Sequence, residues 1–311
     1  MEISVVIPVH NERGNIINLD SEIRIVFSQL KIDWECIWVD DASTDGTWDE
    51  ILKLEIPNKG IKLRTKSGQT TAIMAGIDTS KYNFIVTLDG DNQNDPLDIS
   101  RMVQLMLGNP ELDLIQGYRE KRMDHEISRK LLSKFANILV RKLSGKKILD
   151  LGCSIRLFKK DLMNNLRLTG EMHRLLTLYL IDCGAQMIQI SVNHRPRING
   201  NSKYGPGRIL KLSVDIILYK AMKAIFVSPL YTFAKFSLIG FVASISIMVG
   251  ATLFKIFGAE TYITGTLVST SIILFGTSTI FIGLGLIAEM VTRILITNSS
   301  GYQYTLISKH N

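Results

Sequence analysis

Val86-Thr87-Leu88-Asp89-Gly90-Asp91-Asn92-Gln93 is the stretch on which the rest of the chain turns. Phe84 to Leu88 is a short apolar and β-branched run and reads as a buried strand. It ends in two carboxylates one residue apart, with an amide two positions further on. Hard oxygen ligands on an irregular turn suit Mg²⁺ or Mn²⁺ held together with a substrate diphosphate. The same letters also spell a solvated Asp-Gly turn, so the flanking sequence has to choose.

Working outward, Ile3 to Pro8 is a short apolar strand closed by proline, followed by the loop Val9-His10-Asn11-Glu12 and a helical pattern from about Gly14 to Leu30. Trp34 to Val39 is a second strand, ending at Asp40-Asp41. Ala42 to Thr47 is turn chemistry, with Thr44 or Asp45 a cap for a short helix. A strand over Ile61 to Thr65 follows, and Ser67-Gly68-Gln69 opens another helix through Ile77. Strands alternating with helices across short loops predict an α/β fold with a doubly wound, mostly parallel sheet. Ligands in such sheets sit beyond the carboxyl ends of the strands. Polar groups converge there from Pro8 to Glu12, from Asp40-Asp41, from Lys66 to Gln69 and from Asp89 to Gln93. Neither a G-x-G-x-x-G nor a G-x-x-x-x-G-K-[ST] pattern follows a strand, which counts against dinucleotide binding and P-loop chemistry.

The 311 residues carry a net charge of +7 that is unevenly spread. Between Arg119 and Lys147 ten Lys/Arg stand against three acids, and from Cys183 to Val214 there are five Lys/Arg and no acid. Ile127 to Leu143 has Leu131, Leu132, Phe135, Ile138, Leu139 and Leu143 at helical spacing, with the basic residues largely elsewhere. That pattern predicts an amphipathic helix over about 127–144, resting either on anionic lipid or on the sheet. Ile209 to Val227 is a second interfacial segment. Nucleic acid is excluded as a partner, because the basic helix lacks interleaved aromatics and lies near membrane spans.

Two uncharged stretches supply those spans: Phe236 to Phe254 is 19 residues and Thr261 to Ala288 is 28. Both are long enough for a bilayer core of about 30 Å. Lys220, Lys223 and Lys235 precede the first and Arg293 follows the second, so both ends are expected in the cytoplasm. Met1-Glu2 runs straight into a strand with no signal peptide, and three cysteines form neither metal spacing nor a disulfide framework. The expected organisation is a catalytic domain over 1–205, an interfacial region over 206–230, a transmembrane hairpin over 231–296 and a cytoplasmic tail over 297–311. Gly276, Gly283, Gly285 and Ser278 would permit helix packing within or between chains, so a homo-oligomer is open.

Ile7 to Glu12, Val39 to Thr47, Ser67-Gly68-Gln69 and Leu88 to Gln93 resemble the family 2 glycosyltransferases of GT-A fold. Asn193-His194-Arg195-Pro196-Arg197, Gly200-x-Ser202-Lys203-Tyr204-Gly205, the two spans and Glu289 with Arg293 are similar to the polyprenyl-phosphate branch, that of dolichol-phosphate mannose synthase and its bacterial relatives. The resemblance implies that Pro8, His10, Asn11, Glu12 and Asp40 line the nucleotide, with His10 where the family usually has Tyr. It implies that Gly68 and Gln69 approach the donor, and that Asp89, Gly90, Asp91 and Gln93 hold the metal and diphosphate. Arg119 would reach toward the phosphates, Arg197 and Lys203 would close over the donor, and Arg129 and Ser133 would receive the lipid phosphate. Asp150 opens the segment Asp150 to Arg156 and is read either as catalytic or as a cap.

The resemblance implies an inverting transferase that moves a sugar from a nucleotide sugar to undecaprenyl phosphate. The donor expected from bacterial kinship is a UDP-hexose or UDP-N-acetylhexosamine, with GDP-mannose the alternative. A processive polysaccharide synthase is disfavoured, because all three tryptophans (34, 38, 48) precede the region where those enzymes carry Gln-x-x-Arg-Trp. A non-catalytic scaffold or nucleotide-sugar sensor is the alternative from another class, and it would not need the Asp-x-Asp, Gln93 and both basic loops together.

Overall fold

A computed structural model of the chain describes residues 1–120, 148–164, 166–196, 208–258 and 261–298. Outside the described residues lie the segment expected to form the basic helix with Arg129 and Ser133, the loop with Arg197 and Lys203, and the tail beyond 298. The chain divides into two compact units between Ile216 and Ile217.

The first unit is built on a seven-stranded sheet of order β3-β2-β1-β4-β6-β5-β7. Strands β1 (Ile3–Val9), β2 (Trp34–Asp40), β3 (Asn58–Lys62) and β4 (Phe84–Thr87) are parallel, as are β5 (Leu114–Arg119) and β7 (Met187–Val192). Only β6 (Arg156–Lys159), between β4 and β5, runs against its neighbours. Among the described residues five α-helices accompany the sheet: α1 (Ile16–Leu30), α2 (Thr47–Ile51), α3 (Gln69–Thr79), α4 (Leu97–Gly108) and α5 (Leu176–Asp182).

Side-chain alternation along β1 shows why both faces are covered. Val5 and Ile7 pack with Ile16, Leu19 and Ile23 of α1 and with Ile99 and Met102 of α4. Val6 points the other way, toward Ile73 and Ile77 of α3 and Leu176 and Leu180 of α5. A strand buried on both faces has no polar side to display, which is why β1 and β4 read as unbroken apolar runs. Edge strand β3 differs. The sequence places it at Ile61 to Thr65, whereas the structure has it at Asn58–Lys62. Lys59, Gly60 and Lys62 are exposed, and its position is fixed by tertiary contacts instead. Trp38 Nε1 donates to Asn58 Oδ1 at 2.9 Å, and a Cβ on Gly60 would stand 2.9 Å from Ile51 Cγ2.

Helix α6 (Arg208–Val227) crosses the division between the units. Beyond it α7 (Pro229–Ile256) and α8 (Thr261–Asn298) are each long and apolar enough to cross a membrane. Only 17% of each apolar window is buried, the reverse of a soluble core helix. Leu238, Ile239, Val242 and Ile245 are all more than half exposed. The two helices meet along small residues at seven-residue spacing: Ser237, Ser244 and Ala251 on one, Thr264, Ser271 and Ser278 on the other, all buried. Ser237 Oγ donates to the Ser278 carbonyl at 2.7 Å, Ser244 Oγ to the Ser271 carbonyl at 2.9 Å and Ser271 Oγ to the Ser244 carbonyl at 2.8 Å. A Cβ on Gly240 would overlap Ser278 Oγ, so the backbones approach as closely as small residues allow. Gly285 packs against Phe233 in the same way, while no described atom lies within 4 Å of a Cβ at Gly276 or Gly283.

Candidate active site

Parallel strands β1, β2 and β4 release their chains at one edge of the sheet, and each release is sharp. Asn11, Ala42 and Asn92 all have φ near the left-handed region, at 54°, 56° and 58°. A non-glycine residue holds that conformation only where its surroundings fix it. Here the surroundings are hydrogen bonds between the first two loops. Asn11 N–H donates to Ser43 Oγ at 2.9 Å, Thr44 N–H to Asn11 Oδ1 at 2.9 Å, and Glu12 N–H to Thr47 Oγ1 at 2.9 Å. Asn15 Nδ2 donates to Glu12 Oε2 at 2.8 Å. His10 Nδ1 lies 2.8 Å from the Asp41 carbonyl. A carbonyl only accepts, so Nδ1 carries the proton. Pro8, His10, Asn11 and Glu12 are thereby brought together at the mouth of β1.

Asp40, the last residue of β2, is fully buried. Its Oδ1 accepts from the Ser43 N–H at 3.0 Å and from the Ser43 hydroxyl. Its Oδ2 has no hydrogen-bond partner among the described residues. A buried carboxylate oxygen left this way is an acceptor in want of a donor. Neighbouring Asp41 turns elsewhere and accepts from the Ser67 and Gly68 N–H groups at 2.6 and 2.9 Å. It therefore anchors the loop that opens α3, where Gly68 has φ +90°.

At the end of β4 the carboxylate pair is held from three sides. Gln69 Nε2 donates to Asp89 Oδ1 at 2.9 Å, and the Ser154 hydroxyl also bonds Asp89. Asn94 Nδ2 in turn holds Ser154 Oγ at 2.8 Å. Asp91 accepts the Gln93 N–H at 3.2 Å. Gly90 between them is pressed against β1, and a Cβ there would overlap Val9 Cγ1. Burial and the adjacent Asp91 push the Asp89 carboxyl up to about 6, against the pull of Ser154, Arg156 and Arg119. Arg156, 3% exposed, is fixed by Gln116 Oε1 at 2.8 Å and Thr177 Oγ1 at 3.0 Å. A crowded carboxylate pair is a donor set that a hard divalent cation relieves. Among the described residues no three His, Cys, Asp or Glu side chains surround a common point.

Arg119, at the end of β5, forms a two-point pair with Asp150: Nε to Oδ2 at 2.6 Å and Nη2 to Oδ1 at 3.0 Å. Asp150 Oδ1 also accepts the Gly152 N–H at 3.0 Å, so it shapes its own turn while it orients the arginine. The sequence reading did not single out that pairing.

That reading matched Asn193 to Arg197 to the polyprenyl-phosphate branch but gave His194 no role. Just beyond β7 the chain runs antiparallel beside the Asp-x-Asp loop, with His194 bridged to Asn94 and Arg195 N–H donating to the Gln93 carbonyl at 2.8 Å. The available signal was Asn193-His194-Arg195 directly after an apolar strand, the same strand-end position that marks Asp40 and Asp89. Arg129, Ser133, Arg197 and Lys203 lie outside the described residues.

The comparisons with known proteins agree with this architecture. Residues 4–167 match the model of glycosyl transferase family 2. Over 98% of its length the chain is 31% identical to dodecaprenyl-phosphate galacturonate synthase of Rhizobium johnstonii, covering 91% of that protein. It is 30% identical to undecaprenyl-phosphate 4-deoxy-4-formamido-L-arabinose transferase of Pectobacterium atrosepticum, over 94% of this chain and 88% of the relative. The chain belongs to glycosyl transferase family 2 and carries its GT-A fold. Within that family it is a polyprenyl-phosphate glycosyltransferase.

Among solved structures, glucosyl-3-phosphoglycerate synthase of Mycobacterium tuberculosis, in complex with Mn²⁺ and UDP-glucose, is similar with TM-score 0.54 and 18% identity, over 70% of this chain and 78% of that one. Mannosyl-3-phosphoglycerate synthase of Rubrobacter xylanophilus is similar with TM-score 0.56 and 14% identity, over 72% and 74%. At these identities the likeness concerns the fold alone.

Proposed function

We propose that the chain transfers a sugar from a UDP-sugar to undecaprenyl phosphate, or a polyprenyl phosphate of similar length, with inversion at the anomeric carbon. The observation that carries this reading is the meeting, at one sheet edge, of the unsatisfied Asp40 Oδ2 with the crowded Asp89–Asp91 pair. Asp40 takes a donor from the nucleoside, alongside Pro8, His10, Asn11 and Glu12. Asp89 and Asp91, with Gln93, would hold Mg²⁺ or Mn²⁺, which when bound neutralises charge on the diphosphate leaving group. Gly68 and Gln69 approach the donor from the start of α3, with Gln69 also positioning Asp89, and Asp150 positions Arg119 toward the phosphates. Arg197 and Lys203 act on the donor from their loop, and Arg129 and Ser133 cradle the lipid phosphate.

An oxygen of the lipid phosphate attacks the anomeric carbon. The bond from that carbon to the diphosphate breaks, and its electron pair leaves with the nucleoside diphosphate. A phosphate monoester with a second pKa near 6 is largely ionised at neutral pH, so the nucleophile needs alignment more than a base. Arg119 offsets the repulsion between two anions.

The two long helices anchor the chain in the cytoplasmic membrane with both hairpin ends inside. Reporter fusions at Asn311 and at Ala259 should fall on opposite sides, and a cytoplasmic signal from both would refute the two-span topology. The names of the relatives put galacturonate and 4-deoxy-4-formamido-L-arabinose beside glucose and N-acetylhexosamines in the donor screen. Purified protein should release UDP from one of these UDP-sugars only when polyprenyl phosphate is present. Release of GDP from GDP-mannose in preference to all of them would overturn the UDP assignment, and no release from any donor would overturn the catalytic reading.

A further inference from the structure

Two loops of the site are joined from beneath by a pair of buried amides. Asn15 immediately precedes α1, and Asn92 lies between Asp91 and Gln93; both side chains are buried. Asn92 Nδ2 donates to the Asn15 carbonyl at 3.2 Å, with Asn15 Oδ1 3.4 Å away. That carbonyl also accepts the Leu19 N–H at 3.1 Å in the first turn of α1. On its other side Asn15 Nδ2 donates to Glu12 Oε2 at 2.8 Å, and Asn15 N–H donates to the Glu12 carbonyl at 3.0 Å. The direction of the chain is fixed at its far end. A carbonyl only accepts, so Asn92 presents its amide nitrogen there. Asn15 then turns its own amide oxygen toward Asn92 and keeps its nitrogen for the Glu12 carboxylate.

The residue type at 92 is constrained twice. Its φ of 58° is left-handed, a conformation that Gly, Asn and Asp tolerate best. Of these three only asparagine also offers a side-chain donor to a carbonyl. Glycine would keep the turn and cut the chain, whereas aspartate would set a carboxylate against the carbonyl. A purely structural bond would end at the first turn of α1. This one continues to a carboxylate at the mouth of β1 that is only partly buried.

We propose that Asn92 is a positioning residue: acting through Asn15, it sets the Glu12 carboxylate against the nucleoside of the donor. A residue of the Asp-x-Asp loop thereby tunes affinity for a part of the substrate that this loop does not touch. The inference rests on the nucleotide-sugar reading above and deepens it.

The test is a double-mutant cycle read as UDP affinity, by calorimetry with Mg²⁺ on the full-length protein in detergent. Wild-type binding is the control for the nucleotide-sugar reading, and its absence would defeat that reading before any variant is compared. Asn92→Gly keeps the turn and removes the bridge, and it should weaken UDP binding about fivefold, the size of one neutral hydrogen bond. Asn15→Ser breaks the same chain from the other side and should lose a similar amount, which keeps the test decisive where one variant folds poorly. Glu12→Ala should lose more, since the nucleoside contact itself goes. In the Glu12→Ala background neither Asn92→Gly nor Asn15→Ser should cost more than about twofold, because no carboxylate is left to position. Losses that multiply would overturn the proposal and confine Asn92 to support of its own loop. Unchanged affinity in both single variants would also overturn it, leaving the amide pair as packing alone.

Discussion

Both units bury polar groups, and they treat them in opposite ways. In the hairpin of α7 and α8, the hydroxyls of Ser237, Ser244, Ser271 and Ser278 all have partners, most of them on the facing helix. At the carboxyl edge of the sheet, three of the four unsatisfied buried side-chain atoms among the described residues gather within one site, on Asp40, Asn92 and His194. Two carboxylates are also crowded together there. In hydrocarbon an unmet polar group has no water to turn to, so a membrane helix pair completes every bond internally. A ligand site does the reverse and holds polar atoms ready for a partner that comes and goes. Where a fold leaves its buried polar groups unmet therefore indicates where chemistry enters.

The sharpest challenge to this contrast is Asp150→Ala. It should lower the unfolding free energy of the first unit by about 3–5 kcal/mol, since it removes the two-point carboxylate partner of the largely buried Arg119 guanidinium. Denaturant titration of detergent-solubilised protein reads the effect. A change below 1 kcal/mol would mean that the pair is no better coupled than a surface bridge.

Asp91→Asn should cut turnover by roughly 10²-fold or more with the melting temperature unchanged, and chelation should abolish wild-type activity. Full turnover in chelator would remove the metal from the site. Gly117→Ala tests packing beneath the site. Its Cβ would stand 2.7 Å from Ile155 Cγ2 and 3.1 Å from Cys153 Sγ, so a loss of about 1–3 kcal/mol in stability is expected. The smallest effect belongs to the hairpin. Ser244→Ala should weaken the helix pair by only about 0.6 kcal/mol, measurable by unfolding in mixed detergent. A loss several times larger would show that the serine bonds, rather than close backbone packing, hold the helices together.

How much of this was legible follows from where each signal lives. Strands β1, β2 and β4 announce themselves because burial on both faces writes apolar runs, and the carboxylates at their ends are read with them. Both long apolar helices are legible from their uncharged runs, although α7 starts seven residues before its uncharged core and α8 ends ten residues beyond. Edge strand β3 was misplaced, since Lys59, Gly60 and Lys62 are exposed and its position depends on Trp38 and Asn58. The reversal of β6 has no local signature: direction is decided by which neighbours a strand finds. The Arg119–Asp150 pair joins residues 31 positions apart, and His194 matters through Asn94, a hundred residues upstream. Such long-range meetings leave no spacing to count.

That same pair has a consequence for how such a protein can change. The chain departs from the sheet edge at Arg119 and comes back to it at Asp150, so whatever is interposed begins and ends at a single riveted point. Lengthening a tether closed in this way adds only about 0.6 kcal/mol of closure entropy for each doubling. Because β6 then enters the sheet in reverse, the return requires no crossover, and no other strand has to be rewound to accommodate a different insert. A replacement of the sequence between Arg119 and Asp150 would therefore leave the strand order and register of β1, β2 and β4 as they are.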